Sequence, residues 1–245
     1  MRFIYIEEID STNNYAKELA KKGEGEGTIV IADRQTAGRG RVGKKFFSPD
    51  ATGLYYSLIL RPSFSLEEVT FITSAAAVST VHAIEKVLGV KCGIKWVNDL
   101  YLDNKKVCGI LCEAAPCLNG GAEYVILGIG INLLPPKGGF PAEIENIAGA
   151  LLSECENIRE TKMLLAENIT DIFFRYYKNF ESHSFIPEYQ NLSLMEGKRI
   201  TVLGDTTCDA VALGVDDRCR LIVQKDGGEK FILSSGEVSI KFNDF

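Results

Sequence analysis

Asp33-Arg34-Gln35-Thr36-Ala37-Gly38-Arg39-Gly40-Arg41-Val42-Gly43-Lys44-Lys45-Phe46-Phe47-Ser48-Pro49 is a polar, glycine-rich stretch between two apolar runs, Thr28 to Ala32 and Leu54 to Leu60. Both flanking runs read as strands, so the stretch joins strand to strand. Gly38 to Gly43 fits GxGxxG, but no helix-like segment follows, and the next acidic residue is Asp50 rather than one about 20 positions on. Gly38 to Lys45 nearly spells a P-loop, yet Lys45 stands where a hydroxyl has to hold Mg²⁺. The two common nucleotide folds built on a strand–glycine–helix turn are therefore set aside. From Arg34 to Pro49 there are five basic residues and no acidic one. Gly38, Gly40 and Gly43 free the backbone to aim several N–H groups at one anion, and arginine adds forked donors for carboxylate or phosphate. Taken alone, the segment is either a grip for two anions or a solvated basic loop.

Outward from it, Phe3 to Ile6 reads as a short strand. Ser11-Thr12-Asn13-Asn14 offers capping side chains to a helix whose Tyr15, Ala16, Leu19 and Ala20 share a face, and Gly23 to Gly27 ends it. Downstream of Leu60, Glu67 to Leu88 has helical spacing. A β-rich block follows: Gly93 to Trp96, Leu100 to Leu102, Val107 to Ala114 and Tyr124 to Leu133. Residues 141–152 predict a short helix and Thr161 to Phe180 a longer one. From Lys198 the texture changes. Short β-type runs (Ile200 to Leu203, Ala210 to Leu213, Leu221 to Gln224, Lys230 to Leu233, Val238 to Lys241) alternate with Gly and Asp turns, as in a small barrel. The expectation is an α+β domain over residues 1–193 and a β domain over 194–245.

The 245 residues are 46% hydrophobic and 24% charged, ordinary for a folded globular chain, and the net charge of −6 argues against a nucleic-acid coat. No secretory signal opens the chain, and the longest uncharged run, Val69 to Ile84, falls short of a membrane span. The seven cysteines form no CxxC pair, and His82 and His183 lie far from them, which predicts free thiols in a reducing cytoplasm rather than disulfides or zinc.

Three further runs carry chemistry: Lys95-Trp96-Val97-Asn98-Asp99, Lys106-Val107-Cys108-Gly109-Ile110-Leu111 and Gly128-Ile129-Gly130-Ile131-Asn132. Strand alternation puts Ile126, Gly128, Gly130 and Asn132 on one face, a bare surface for a ligand or for a tightly packed helix; Leu127, Ile129 and Ile131 fall on the core side. Lys106 is either a hairpin-tip lysine or, as the start of a strand, a cation facing the same way as Cys108 and Ile110. Trp96 reads as core.

With Ser11-Thr12-Asn13, Gln35 and the GRGR run of Gly38 to Arg41, these motifs in this order resemble the biotin–protein ligase family over residues 3 to 180, and the terminal β segment fits as well. The family's usual proline is Val97 here, and its frequent tryptophan is Phe46. The resemblance implies a class II synthetase-like mixed sheet flanked by helices, with a small C-terminal SH3-like β-barrel. It implies an enzyme that forms biotinyl-5′-AMP from biotin and ATP with Mg²⁺, then transfers biotin to a lysine of a biotin carboxyl carrier protein. Ser11, Thr12, Asn13, Gln35, Gly38, Arg39, Gly40, Arg41, Lys106 and Gly109 would bind biotin. Arg39, Phe46, Lys106, Gly130 and Asn132 would bind the nucleotide. Lys106, Arg41 and Arg39 would carry catalysis, and Asp99 would position polar groups or the acceptor lysine. For Ser11 to Asn13, plain helix capping stays open beside this role, and the two are compatible. The pattern starts almost at Met1, so a short form without a DNA-binding domain is expected, cytoplasmic and away from membranes; homodimers are common in the family. A lipoate ligase or octanoyl transferase shares the fold and is the alternative, against which the GRGR run and KWVND weigh.

Overall fold

In the computed structural model, which describes residues 1–118, 120–203 and 207–240, β1 (Arg2–Ile9) and β2 (Thr28–Gln35) run parallel, joined by α1 (Thr12–Lys21). Every other pairing in their sheet is antiparallel: β3 (Gly53–Leu60), β4 (Gly93–Lys95), β5 (Asp99–Leu102), β6 (Lys105–Pro116) and β7 (Ala122–Asn132). The strand order is β1-β2-β3-β7-β6-β5-β4. Alternation along the central strands sorts the two faces. Ile29, Ile31, Leu54, Tyr56, Leu58, Leu127, Ile129 and Ile131 point into the main core, under α3 (Ile72–Leu88) and α4 (Ile158–Tyr177). Val30, Ile59, Tyr124 and Ile126 point the other way and are covered by Ala16 and Ala20 of α1. Because α1 covers only part of that second face, the sheet's other half is left open for a cavity.

A second sheet holds β8 (Arg199–Leu203), β9 (Cys208–Val215), β10 (Leu221–Lys225), β11 (Lys230–Leu233) and β12 (Glu237–Ile240), all antiparallel, in the order β11-β10-β9-β8-β12. Lys241, the expected end of β12, lies outside the described residues. Ile200, Ala210, Leu221 and Val238 join the same continuous core as the large sheet. The buried Trp96 indole N–H donates to Cys219 O at 2.9 Å, pinning the two sheets together. Trp96 is core, as its pattern suggests.

Two local expectations are corrected, and one helix was not expected. Residues 141–152 form no helix. Their turns instead serve β6: Lys106 N donates to Ile147 O at 2.7 Å and Gly149 N to Lys106 O at 2.9 Å. Gly149 allows that approach, since a Cβ there would sit 2.6 Å from Lys105 Cβ. The helix expected from Glu67 is split into α2 (Leu66–Val69), capped by Ser65, and α3. The stretch Leu66–Leu88 is long and apolar enough to cross a membrane, but it is mostly buried as the core of this fold. Finally, α5 (Ile186–Leu192) is an element the spacing did not predict. It is clamped to α3 by the His82–Glu188 pair, and the preceding turn is clamped to α2 by His183 Nε2–Glu68 Oε2 at 2.6 Å.

Candidate active site

The glycine-rich loop leaves the end of β2 and folds back over the open half of the sheet. Phe46 N donates to Gly38 O at 2.9 Å, Gly40 N to Lys44 O at 2.7 Å and Lys44 N to Arg41 O at 3.0 Å, with a 3-10 turn at Arg41–Gly43. Gly38 is required at the root of this arch, because a Cβ there would lie 2.4 Å from Phe46 O and 2.5 Å from Ser48 Oγ. Between arch and sheet lies a cavity of about 580 Å³, within the range of small-molecule sites. Its walls hold Ser11, Thr12, Asn13, Gln35, Arg39, Gly40, Arg41, Phe46, Asp99, Lys106, Gly109 and Gly130, all expected site residues. Gly38 and Asn132 are not in its lining. Gly38 is buried under the arch, and Asn132 Nδ2 donates to Gly149 O at 2.9 Å, anchoring the 147–149 turn.

One wall of the cavity is lined by hydroxyls and amides. Ser11 caps α1, its Oγ accepting a long bond from Asn14 N at 3.5 Å, and Ser11, Thr12 and Asn13 are all buried. Gln35 Oε1 accepts from Thr12 N at 2.8 Å and from Thr12 Oγ1 at 3.1 Å, while its Nε2 donates to Ser48 Oγ at 2.9 Å. Ser57, fully buried on β3, sits 2.8 Å from Thr12 Oγ1 and 2.6 Å from Asn13 Oδ1, and its one proton serves one of them at a time. Asn13 Nδ2 in turn donates to Glu113 Oε2 at 2.9 Å. A chain of donors and acceptors this closed is stiff, since each member fixes the next.

The floor is bare backbone. Gly109 and Gly130 are register partners on β6 and β7, and the Phe46 ring lies against both: an added Cβ would come within 3.3 Å of it at Gly109 and 2.6 Å at Gly130. Gly128 is crossed by Asn13, whose Oδ1 is 2.2 Å from where a Cβ would stand. Tyr55 meets Phe46 edge-on and hydrogen-bonds Pro49 O at 2.8 Å. The glycine face expected from alternation thus holds both a packed helix and a ligand-sized space.

Lys106 reaches this floor by a route alternation does not give. Leu100 pairs with Cys108 but Tyr101 pairs with Lys106, so Val107 is bulged out. The bulge flips the parity. Lys106 does not face the same way as Cys108 and Ile110; its Nζ lies 3.4 Å from where a Gly109 Cβ would be, on the cavity side. Cys108 is turned into the core instead, where burial pushes its thiol well up, and the same cause lifts Cys92 and Cys112 to about 12. Buried, protonated thiols are poor nucleophiles, and no disulfide joins any of the described cysteines.

The rest of the lining is cationic, beginning with Arg39 beside the wall of hydroxyls and amides. Among the described residues, Arg39, Arg41, Lys44, Lys45, Lys95 and Lys106 line the cavity against only two acids, Asp99 and Glu237. Four of these cations are held by polar or charged partners in the chain, and Lys95 Nζ lies 5.5 Å from the centre of the Tyr101 ring. Arg39 lies 2.9 Å from Glu113 and donates to Asn14 Oδ1 at 2.8 Å. Arg41 donates to Asn98 Oδ1 at 3.1 Å, and Asn98 is itself fixed by Ile110 O at 2.7 Å. Lys106 Nζ is 2.7 Å from Asp99 Oδ1, an ion pair without hydrogen-bond geometry around a buried oxygen. Lys44 pairs with Glu237 of β12. Burial holds Lys95 below its ordinary pKa, against the pull of Asp99. No cluster of three metal-ligating side chains occurs among the described residues.

Sequence reasoning missed Ser57, Glu113, Asn98, Lys95 and Glu237 as site residues. Ser57 is signalled by a lone hydroxyl in the apolar strand Tyr55-Tyr56-Ser57-Leu58-Ile59-Leu60, and Lys95 and Asn98 lie inside a quoted motif. Glu237 has no local signal, because its partner Lys44 is 193 positions away.

Residues 5–132 match the biotin/lipoate A/B protein ligase family, and residues 197–241 match the biotin protein ligase C terminal domain. The chain is 36% identical to the bifunctional ligase/repressor BirA of Bacillus spizizenii over 237 residues, which is 95% of this chain and 72% of the relative. It is 28% identical to the biotin–[acetyl-CoA-carboxylase] ligase of Paracoccus denitrificans, covering 91% of this chain and 94% of that one. Among solved structures, the biotin protein ligase of Aquifex aeolicus in complex with biotin and ATP superposes with a TM-score of 0.78 at 27% identity, covering 98% of each chain.

Proposed function

Because the chain belongs to the biotin/lipoate A/B protein ligase family, we propose that it activates biotin with MgATP as biotinyl-adenylate and passes the biotinyl group to a lysine of a biotin carboxyl carrier protein. The observation that carries this reading is the cavity's polarity. A wall of hydroxyls and amides and, among the described residues, six cations against two acids share one space in a protein of net charge −6.

Biotin's ureido ring offers two N–H donors and a carbonyl, and buried polar groups left unmatched cost about 1–3 kcal/mol each. Ser11, Thr12, Asn13 and Gln35 supply the complementary hydroxyls and amides. A lipoyl or octanoyl group has nothing to give them, so the lipoate alternative is not favoured. The biotin carboxylate then points toward Arg39, Arg41 and Lys106. Adenylation brings that carboxylate onto the α-phosphorus; two unit charges about 4 Å apart repel by about 4 kcal/mol at an effective dielectric of 20. Cations fixed in place beforehand remove this barrier without reorganising. One carboxylate oxygen forms the new P–O bond, the bond from the α-phosphorus to the α,β-bridging oxygen breaks, and pyrophosphate leaves; Mg²⁺ bound to the polyphosphate would offset part of its charge. Phe46 over Gly109 and Gly130 is the surface for the adenine, with Gly38 and Gly40 shaping the arch and Asn132 holding the adjacent turn.

In the second step the neutral amine of the acceptor lysine attacks the biotinyl carbonyl and AMP departs. Asp99 at the cavity wall is suited to position that amine, and no enzyme nucleophile is called for; none of the described cysteines is among the cavity's lining residues. The reading assigns residues 1–193 to catalysis and 194–245 to a C-terminal domain that closes one wall, and it places the enzyme in the cytoplasm, where its thiols stay reduced. Radiolabelled pyrophosphate exchange into ATP tests the first step. Exchange that requires biotin and ignores lipoate and octanoate supports the reading; exchange driven equally by lipoate defeats it.

A further inference from the structure

The cation cluster beside the C-terminal sheet is not built by the catalytic sheet alone. Lys44 comes from the arch, Lys95 from β4 and Lys106 from β6, and the C-terminal sheet adds Ser235, Gly236 and Glu237 at the start of β12. Gly236 turns the chain there with φ +131, a conformation L side chains rarely adopt, and this delivers Glu237 to the rim. Glu237 hydrogen-bonds Lys44 and feels the charges of Lys44, Lys95 and Lys106, which together hold its carboxyl below the ordinary value. Asp99, the only other acid lining the cavity among the described residues, is taken by Lys106. Lys95, half-buried with its Nζ 5.5 Å from the centre of the Tyr101 ring, is therefore a cation whose carboxylate neighbours are both engaged elsewhere. Glu237, by contrast, keeps 49% of its side chain exposed, so its bond to Lys44 is open to exchange.

We propose that Lys44 and Lys95 seat the β- and γ-phosphates of the nucleotide, and that Glu237 fills this seat as an internal counter-anion until the polyphosphate displaces it. The inference rests on the biotin–protein ligase reading and extends it to residues of this chain. A polyphosphate carries several charges and many acceptor oxygens, so it outcompetes one half-exposed carboxylate for two ammonium groups. The exchange has a purpose: without nucleotide, Glu237 keeps the arch docked on the C-terminal sheet. With nucleotide, the phosphates bridge the same cations, and pyrophosphate release returns Lys44 to Glu237.

Magnesium pyrophosphate, titrated calorimetrically into the full chain, is the probe. Glu237→Gln removes the competitor, and pyrophosphate affinity is expected to rise about three- to tenfold at low salt. Lys95→Met is expected to lower it about tenfold or more, with Lys95→Arg restoring most of the loss. Biotin binding without nucleotide reports separately on whether the cavity is formed. If biotin binds but Glu237→Gln leaves pyrophosphate affinity unchanged or weakens it, the counter-anion role is overturned; an unchanged affinity in Lys95→Met overturns the seat. If the wild-type chain does not bind biotin at all, the broader functional reading fails first. Should Lys95→Met fold poorly, the exposed Glu237→Gln change still decides the counter-anion role, and Lys44→Met decides the seat.

Discussion

Replacing Gly128 by alanine pushes a methyl group into the buried amide at the cavity's polar wall. The new Cβ would stand 2.2 Å from Asn13 Oδ1, 2.8 Å from Cγ and 2.9 Å from Nδ2. β7 cannot yield, because it is hydrogen-bonded to β3 on one side and β6 on the other. Asn13 must therefore retreat by roughly 1 Å to reach ordinary contact. That separates it from Ser57 Oγ, now at 2.6 Å, and from Glu113 Oε2, now at 2.9 Å. Losing two such bonds, one to a charged acceptor, costs about 2–4 kcal/mol in total. The cost divides between folding and ligand binding, so two assays are needed: urea unfolding for stability and calorimetric titration for biotin. The expected result is about 1–2 kcal/mol of lost stability with biotin affinity down about tenfold or more. Gly109→Ala is the control. Its Cβ would meet Lys106 and Phe46 at 3.3 Å, atoms at the ends of side chains that can shift, so its effect on biotin is expected to be smaller. Biotin affinity within about twofold of wild type, with stability changed by under about 0.5 kcal/mol, would refute the claim that Asn13 links the helix cap to the binding face.

Other perturbations address separate parts of the account. Lys106→Ala and Arg41→Ala should each lower the rate of pyrophosphate release about 100-fold or more while leaving the far-ultraviolet spectrum unchanged; wild-type rates in both would remove their catalytic assignment. Lys162, 1% exposed on α4, is 2.9 Å from Asp33 Oδ1, which Tyr5 Oη also bonds at 2.5 Å; Lys162→Met should cost about 3 kcal/mol in denaturant unfolding, and a loss under about 1 kcal/mol would mean the pair is dispensable. Burial opposes the Asp33 charge, but bonds from Tyr5 and Lys162 hold its pKa below the ordinary value; the stability it adds is thus present above pH about 4 and lost as pH falls through the lowered value. Asp33→Asn should accordingly flatten the acid limb of a stability–pH curve, and an unaltered limb would contradict this. Proteolysis within residues 34–48 should slow when biotin and MgATP are both bound, and equal cleavage with and without them would count against closure of the arch.

Much of the fold was legible because the central strands alternate cleanly. Gly128 and Gly130 declared a bare face and Leu127, Ile129 and Ile131 a core face, and the structure fills both as that pattern requires. Where a local rule was broken by pairing, sequence reading failed. Residues 141–152 contain good helix formers, but their carbonyls and amides are drawn to Lys106 across the sheet edge. Lys106 itself was recognised for its motif yet assigned the wrong face, since one bulged residue, Val107, inverts everything on one side of it. Ser57 and Glu113 matter because of side-chain bonds to Asn13 and Arg39, residues 44 and 74 or more positions away, which no spacing along β3 or β6 encodes. Motifs located the site's cations, and only tertiary structure supplied their counter-charges.

The central claim is that this cavity joins biotin to a protein lysine by way of an adenylate. Incubating the chain with biotin, MgATP and an isolated biotin carboxyl carrier domain, then weighing the carrier by mass spectrometry, tests it in one step. The account predicts that the carrier gains one biotinyl group when all components are present, and none when ATP is omitted. A carrier left unmodified, or modified as readily when lipoate replaces biotin, would contradict it.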